Sequence, residues 1–153
     1  MKPSDLESNT YMMNIIEATS KAQIEDAYAI RRDVFVNEQG VSLDEEMDEH
    51  DDSATHLVGY LEDEAVAASR LRFVDKYGKF ERISVLSSKR GKSFGKQMIE
   101  AMETITRNRG YHYAKLNAQV QALGFYQSLG YEVVSDEFLD AGIPHVTMTK
   151  ALA

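Results

Sequence analysis

The 153-residue chain contains no cysteine. This absence excludes disulfide scaffolds, thiolate metal sites and cysteine nucleophiles together. No apolar run reaches the length of a membrane span, and the polar, acidic N-terminus lacks the apolar stretch of a secretory signal. We therefore expect a cytoplasmic protein with no membrane partner, in which residues 1–11 form a flexible leader and residues 12–153 form a single domain.

Positive charge is also scarce in this chain. Lys and Arg number 17 against 25 Asp and Glu, which gives a formal net charge of −8. This excess of negative charge argues against a nucleic-acid partner, although a local basic patch is compatible with the net charge. The histidines have no metal-ligand spacing with other candidate ligands, so we predict no metal.

Apolar periodicity and turn residues predict the element order β-α-β-β-β-α-β-α-β-β. A helix begins after Ser20, which has capping-box spacing with Gln23, and runs to about residue 36. Three strands joined by short turns follow over residues 55–86 and indicate an antiparallel meander. The fold class is therefore α/β (α+β), a mixed sheet with helices packed on it.

One segment is strongly acidic. DEEMDEHDD, at positions 44–52, carries seven carboxylates in nine residues and no Lys or Arg. It lacks the glycine and the final glutamate that a calcium-binding loop places at its sixth and twelfth positions. We expect a solvated, mobile loop, which would attract a cationic amine if it overhung a substrate cleft.

A second segment is basic where the start of a helix normally favours acidic residues. Its cations surround Gly91 and Gly95, and they are Lys89, Arg90, Lys92 and Lys96. No acidic residue occurs over residues 82–99. The glycines match neither a Walker loop nor a dinucleotide fingerprint. A solvated basic face is one interpretation, but free amides beside cations favour an anion site in which a phosphate relieves the conflict with the helix dipole.

The segment that begins at Val85 and continues, after four more residues, as RGKSFG resembles the acetyl-CoA signature of the GNAT N-acetyltransferases. That signature is commonly Arg/Gln-x-x-Gly-x-Gly/Ala at a helix start. The element order is also similar, and the resemblance covers about residues 13–150. It implies a mainly antiparallel sheet of about seven strands and a turn whose amides hold the coenzyme pyrophosphate. The residues it assigns to that turn are Arg90, Gly91, Lys92, Ser93, Phe94, Gly95 and Lys96. Ser93 stands where the first signature glycine is usual.

The segment NAQVQALGFYQSLGYE resembles a second GNAT pattern, Asn-x-x-x-x-x-x-x-Phe-Tyr-x-x-x-Gly-Phe/Tyr. From spacing alone, the ring of Tyr126 would be assigned to the core. The resemblance implies instead that its hydroxyl lies near the thioester sulfur and protonates the leaving thiolate. It also implies that Asn117 holds the pantetheine arm, together with the backbone groups of Ile83 and Val85.

Two residues are candidates for the base that deprotonates the acceptor amine. Glu81, four residues before Val85, is similar in position to the GNAT glutamate that acts through water. His145 follows a rigid Ile-Pro turn and is a second candidate. The segments RRDVFVNEQG and DAGIPHVTM resemble a small, mostly uncharacterised bacterial branch of the superfamily, which implies Glu38, Gln39 and His145 as substrate-binding residues.

These features predict an acetyl-CoA-dependent N-acetyltransferase that moves an acetyl group directly to a primary amine. Acetyl-CoA serves as co-substrate, and the acceptor is a small molecule or a protein amine. The alternative is a non-catalytic acyl-CoA-binding regulatory module, which Glu81 and Tyr126 disfavour because binding alone needs neither. A homodimer is compatible with the sequence, which does not identify the acceptor.

Overall fold

The computed structural model describes residues 12–153, and the predicted leader lies outside the described residues. Eight strands occur in the described chain: β1 Asn14–Glu17, β2 Thr55–Leu61, β3 Glu64–Val74, β4 Tyr77–Val85, β5 Tyr113–Gln119, β6 Glu132–Val133, β7 Phe138–Asp140 and β8 Ile143–Ala151. The α-helices of the same residues are α1 Lys21–Arg31, α2 Leu43–Glu46, α3 Phe94–Asn108 and α4 Leu123–Ser128. The predicted element order is thus present, with β7 and α2 in addition.

The strands form one mixed sheet in the order β1-β2-β3-β4-β5-β8-β6, with β7 paired to β8. The β4–β5 pair is parallel, whereas β1–β2, β5–β8, β6–β8 and β7–β8 are antiparallel. This arrangement confirms the predicted mixed and mainly antiparallel sheet. Residues 12–153 include no helix with the length and apolar character needed to cross a membrane.

The described chain forms two compact units, residues 12–70 with 82–101 and residues 71–81 with 102–153. In the first unit, α1 begins at Ser20, whose side chain accepts a hydrogen bond from the backbone of Gln23 in the predicted capping box. The helix buries Ala27 and Ile30 against Val58 of β2 and other apolar residues of the sheet. Its C-terminal end continues as a π-helical segment, Arg32–Glu38.

The acidic segment is folded onto the first unit, so the prediction of a solvated, mobile loop is wrong. It forms α2 and a 3₁₀ turn, Glu49–Asp52, and it buries the side chains of Glu46 and Asp51. Arg31, itself fully buried, donates from Nε to Glu46 Oε1 at 2.7 Å and from Nη1 to Asp51 Oδ1 at 2.7 Å. A buried cation therefore balances carboxylates that composition alone would assign to solvent.

Two further arginines complete this ion network. Arg70 donates to Asp48 Oδ1 at 2.6 Å and to Asp51 Oδ1 at 3.1 Å. Arg82 donates to Glu46 Oε2 at 3.0 Å and to Asp48 Oδ2 at 3.3 Å. Because Glu46, Asp48 and Asp51 are paired with arginines, these three carboxylates of the acidic segment stabilise the fold.

The second unit has a sheet with two chemically different faces. Along β4, β5 and β8 the buried residues are Phe80, Ala114, Leu116, Ala118 and Met148. On that face, a Cβ on Gly78 would lie 2.5 Å from Thr106 Oγ1 of α3, so helix and strand are in direct contact there. The alternate positions face the other way and include Glu81, Asn117 and His145. One packed face thus leaves the opposite face for polar chemistry.

Candidate active site

The basic helix start of the first unit has an unusual backbone. After β4 ends, a 3₁₀ turn over Ser87–Lys89 leads to Gly91 with φ +80° and Ser93 with φ +66°. The carbonyl oxygen of Ser93 accepts a hydrogen bond from the backbone amide of Gln97 at 3.0 Å. Ser93 therefore lies at the N-terminal end of α3. The first amides of a helix have no intrahelical partner and carry partial positive charge, so this turn is suited to an anion.

The conformation of Ser93 belongs to the left-handed region, where a Cβ is unfavourable and glycine is preferred. A non-glycine residue in such a conformation costs on the order of 1–3 kcal/mol. The turn therefore keeps a glycine-like geometry even though its first signature glycine is replaced.

We expect Ser93→Gly to raise the free energy of unfolding by about 0.5–1 kcal/mol, because relief of strain outweighs the added entropy of glycine in the unfolded chain. Denaturant titration measures the change. Ser88→Gly is the matched control, since Ser88 is exposed in the preceding 3₁₀ turn and Ser93, not Ser88, has a positive φ. Destabilisation of both variants to the same extent would contradict the strain at Ser93.

Arg90 joins this turn to the end of the π-helical segment. Its Nη1 and Nη2 donate to Glu38 Oε2 at 2.5 Å and to Oε1 at 2.7 Å, and its Nε donates to the carbonyl of Val85 at 3.2 Å. The hydrogen bonds from Arg90 lower the pKa of Glu38, and Glu38 in turn raises the pKa of Arg90. A predicted substrate residue and a predicted coenzyme residue are thus direct partners, while Gln39 follows at the C-terminal cap of the segment.

Strand β4 is irregular where the coenzyme backbone contacts are predicted. Arg82 has φ +54°, so the regular alternation of side chains along the strand is interrupted there. Beyond it, Ile83 and Val85 are half-buried, and Ser84 Oγ donates to the carbonyl of Ala68 at 3.2 Å. This interruption changes the direction in which the backbone N–H and C=O groups after Arg82 point.

In the second unit, the two candidate bases have different environments. Glu81 pairs with Arg72 Nε at 2.8 Å and with Lys79 Nζ at 3.1 Å. His145 is buried, its Nδ1 lies 2.6 Å from the carbonyl oxygen of Ile143, and its ring stacks on Phe138 at 6.0 Å. A carbonyl oxygen only accepts, so Nδ1 carries the proton and Nε2 carries the lone pair of the neutral ring.

Asn117 and Tyr126 also belong to the second unit. Asn117 is exposed on β5, and its Oδ1 accepts a hydrogen bond from Thr147 Oγ1 at 2.8 Å. Tyr126 lies on α4 with its ring edge-on to Phe125 and Tyr131, and burial raises its pKa to about 12. The phenol is therefore protonated throughout the physiological pH range, as a proton donor must be before reaction.

Residues 15–152 match the family model of the acetyltransferase (GNAT) domain. The chain belongs to the GNAT acetyltransferase family, and it is an acyltransferase enzyme. It is 44% identical over 139 residues to YjcF of Bacillus subtilis, named an uncharacterized N-acetyltransferase, with 90% of this chain and 99% of YjcF covered. This finding confirms the predicted membership of the GNAT family.

Solved GNAT structures share the fold. The crystal structure of a Lactobacillus plantarum protein, described as an N-acetyltransferase by assignment, matches this chain with TM-score 0.87 and 34% identity. The match covers 92% of this chain and 99% of that protein. A GNAT acetyltransferase from Elizabethkingia anophelis, solved with acetyl-CoA bound, has TM-score 0.73 and 15% identity, with 92% and 98% covered. The second likeness concerns the fold alone.

Several contacts of this GNAT chain were not foreseen from sequence. Arg72 beside Glu81, Phe138 beside His145 and Thr147 beside Asn117 all depend on strand register. The Asn117–Thr147 pair, for example, joins residues 30 positions apart. Among residues 12–153, no group of three or more His, Asp or Glu side chains is arranged to hold a metal ion.

Proposed function

We propose that the protein transfers an acetyl group directly from acetyl-CoA to a primary amine. The observation that carries this proposal is the turn at residues 90–96, where left-handed Gly91 and Ser93 open a helix whose approach contains no acidic residue. A coenzyme pyrophosphate supplies the negative charge that this helix start lacks. The acetyl-CoA in the Elizabethkingia relative of the same fold supports the choice of ligand.

Each part of the coenzyme has proposed protein partners. Backbone amides from Ser93 to Lys96 hold the pyrophosphate, and Arg90 and Lys92 add positive charge. Backbone groups of Ile83 and Val85 and the side chain of Asn117 hold the pantetheine arm. Phe94 is 1% exposed and anchors the first turn of α3, so the amides of that turn are presented from a fixed position.

The reaction needs a neutral amine, and we propose His145 as the base that produces it. The amine nitrogen attacks the thioester carbonyl carbon, a C–N bond forms, the C–S bond breaks, and the amine proton passes to Nε2 of His145. The hydrogen bond from Nδ1 to the carbonyl oxygen of Ile143 favours this role, because it fixes the tautomer in which Nε2 can accept a proton. Glu81 is a weaker candidate, since its two carboxylate oxygens are already paired with Arg72 and Lys79.

Tyr126 supplies the proton donor for the departing sulfur. Its pKa of about 12 favours the protonated phenol, and the same shift makes complete loss of the proton unfavourable. Its contribution is therefore a hydrogen bond to the developing thiolate. The proton that converts the thiolate to the free thiol of CoA comes from water, to which His145 returns the proton taken from the amine. We also propose a cytoplasmic location, supported by the cysteine-free composition.

A thiol-release assay tests this function. Purified protein is mixed with acetyl-CoA and a panel of amines that includes a polyamine, an aminoglycoside and a lysine peptide, and free CoA is detected with a thiol reagent. The chain has no cysteine, so every thiol signal comes from CoA. We expect amine-dependent release and a raised Tm with acetyl-CoA. A raised Tm without release from any amine would support the non-catalytic binding module instead.

The same assay separates the two candidate bases. We expect His145→Asn to lower kcat by about 100-fold or more, and Glu81→Gln to lower it much less. The Tm of each variant serves as the control for folding, because Glu81→Gln also removes two ion pairs. A larger loss of kcat in Glu81→Gln than in His145→Asn would assign the base to Glu81.

A further inference from the structure

We propose that Thr147 is a positioning residue that orients the side-chain amide of Asn117 toward the pantetheine arm of the coenzyme. This inference rests on the proposed function, which assigns Asn117 to that arm. The ligand group recognised is a carbonyl oxygen, because the amide nitrogen of asparagine can only donate. Thr147 itself contacts no part of the coenzyme in this role.

The register of the sheet brings the two side chains together. Asn117 of β5 and Thr147 of β8 are direct antiparallel partners, so their side chains lie on the same face. Thr147 Oγ1 donates to Asn117 Oδ1 at 2.8 Å. Once this bond has engaged Oδ1, the nitrogen Nδ2 is the part of the amide directed to a ligand.

The backbone of Thr147 is held on its other side as well. Its amide donates to Ser135 Oγ at 2.8 Å, and its carbonyl accepts the amide of Val134 at 2.9 Å. A β-branched side chain on a fixed backbone has few rotamers. The hydroxyl of Thr147 therefore occupies a defined place beside β5.

The orientation matters because Asn117 is exposed and otherwise free to rotate. A flipped amide would direct Oδ1 at the carbonyl oxygen of the ligand, and two acceptors cannot bond to each other. An amide that is fixed before binding also loses less conformational entropy when the ligand arrives. In the orientation that the structure shows, Thr147 holds Oδ1 of Asn117 and leaves Nδ2 to donate to pantetheine.

The test compares Thr147→Val, which keeps the shape and removes the hydroxyl, with Thr147→Ser, which keeps the hydroxyl. We expect Thr147→Val to raise the Kd and the KM of acetyl-CoA by about 5- to 10-fold with little change in kcat. Thr147→Ser is expected to restore both constants to within about twofold of the wild type. Thr149→Val, a neighbouring position on the same face of β8, is the control and should leave them unchanged.

A double-mutant cycle with Asn117→Ala separates orientation from a general structural effect. We expect Asn117→Ala to weaken acetyl-CoA binding and to abolish any further effect of Thr147→Val, since the group that Thr147 orients is then absent. Equal effects of Thr147→Val in the presence and absence of Asn117 would overturn the inference. A Thr147→Val variant with wild-type Kd would overturn it too, while the proposed function would stand. A wild-type protein that fails to bind acetyl-CoA would overturn both.

Discussion

Tyr126→Phe is expected to lower kcat by about 100-fold and to leave the Kd of acetyl-CoA within about twofold of the wild-type value. The substitution removes the hydroxyl and keeps the ring that packs edge-on to Phe125 and Tyr131. Binding should persist because the hydroxyl acts on the thiolate, which develops only as the C–S bond breaks. Steady-state kinetics with an amine found by the thiol assay, together with a binding titration, measure the two constants.

Tyr113→Phe is the matched control for this prediction. Tyr113 lies in the same unit and is 39% exposed, and we expect that variant to retain wild-type kcat. The pKa of Tyr126 also predicts the alkaline limb of the pH profile. Because its pKa is raised to about 12, the phenol stays protonated well above pH 10, and loss of its proton should not reduce the wild-type rate below that pH. Unchanged kcat in Tyr126→Phe would contradict its role as proton donor.

The parts of the fold that were predictable from sequence are those with a local signal. The capping box of Ser20 has a fixed spacing, the apolar positions of α3 follow the helical period, and β2 to β5 are strand-like runs bounded by turn residues. The helix start at residues 90–96 was also recognisable, because its cations oppose the helix dipole. What could not be predicted there is that Ser93 adopts the left-handed conformation of the glycine it replaces.

The parts that were missed depend on distant partners. Strand β7 has only three residues, too few to show a period, and it exists through its pairing with β8. The acidic segment contains no Lys or Arg, so composition indicated exposure. The arginines that pair with Glu46 lie far away in the sequence, Arg31 at 15 positions and Arg82 at 36 positions. Long-range charge pairing of this kind has no local pattern, and it reverses the expected burial of Glu46 and Asp51.

Arg31→Met is expected to lower the free energy of unfolding by about 3–5 kcal/mol at pH 7, because Glu46 and Asp51 would be left buried without their main cation. Methionine keeps much of the side-chain volume, so the loss reports charge more than packing. Arg32→Met is the control, since Arg32 is the exposed next residue, and its substitution should change stability by less than about 0.5 kcal/mol. Urea denaturation measures both variants.

The stability difference between the wild type and Arg31→Met should also depend on pH. Burial alone would raise the pKa of Asp51, but hydrogen bonds and charge from Arg31 lower it to about 2. A carboxyl with a lowered pKa stabilises the fold fully above its unfolded value near 4 and loses that contribution as the pH falls toward 2. Burial raises the pKa of Glu46, and Arg31 counteracts that rise, so the loss of Arg31 affects Glu46 in the same direction as Asp51. We therefore expect the stability advantage of the wild type over Arg31→Met to be largest at neutral pH and to shrink between about pH 4 and pH 2. A difference that stays constant over that range would show that Arg31 stabilises the protein by packing and not through its charge.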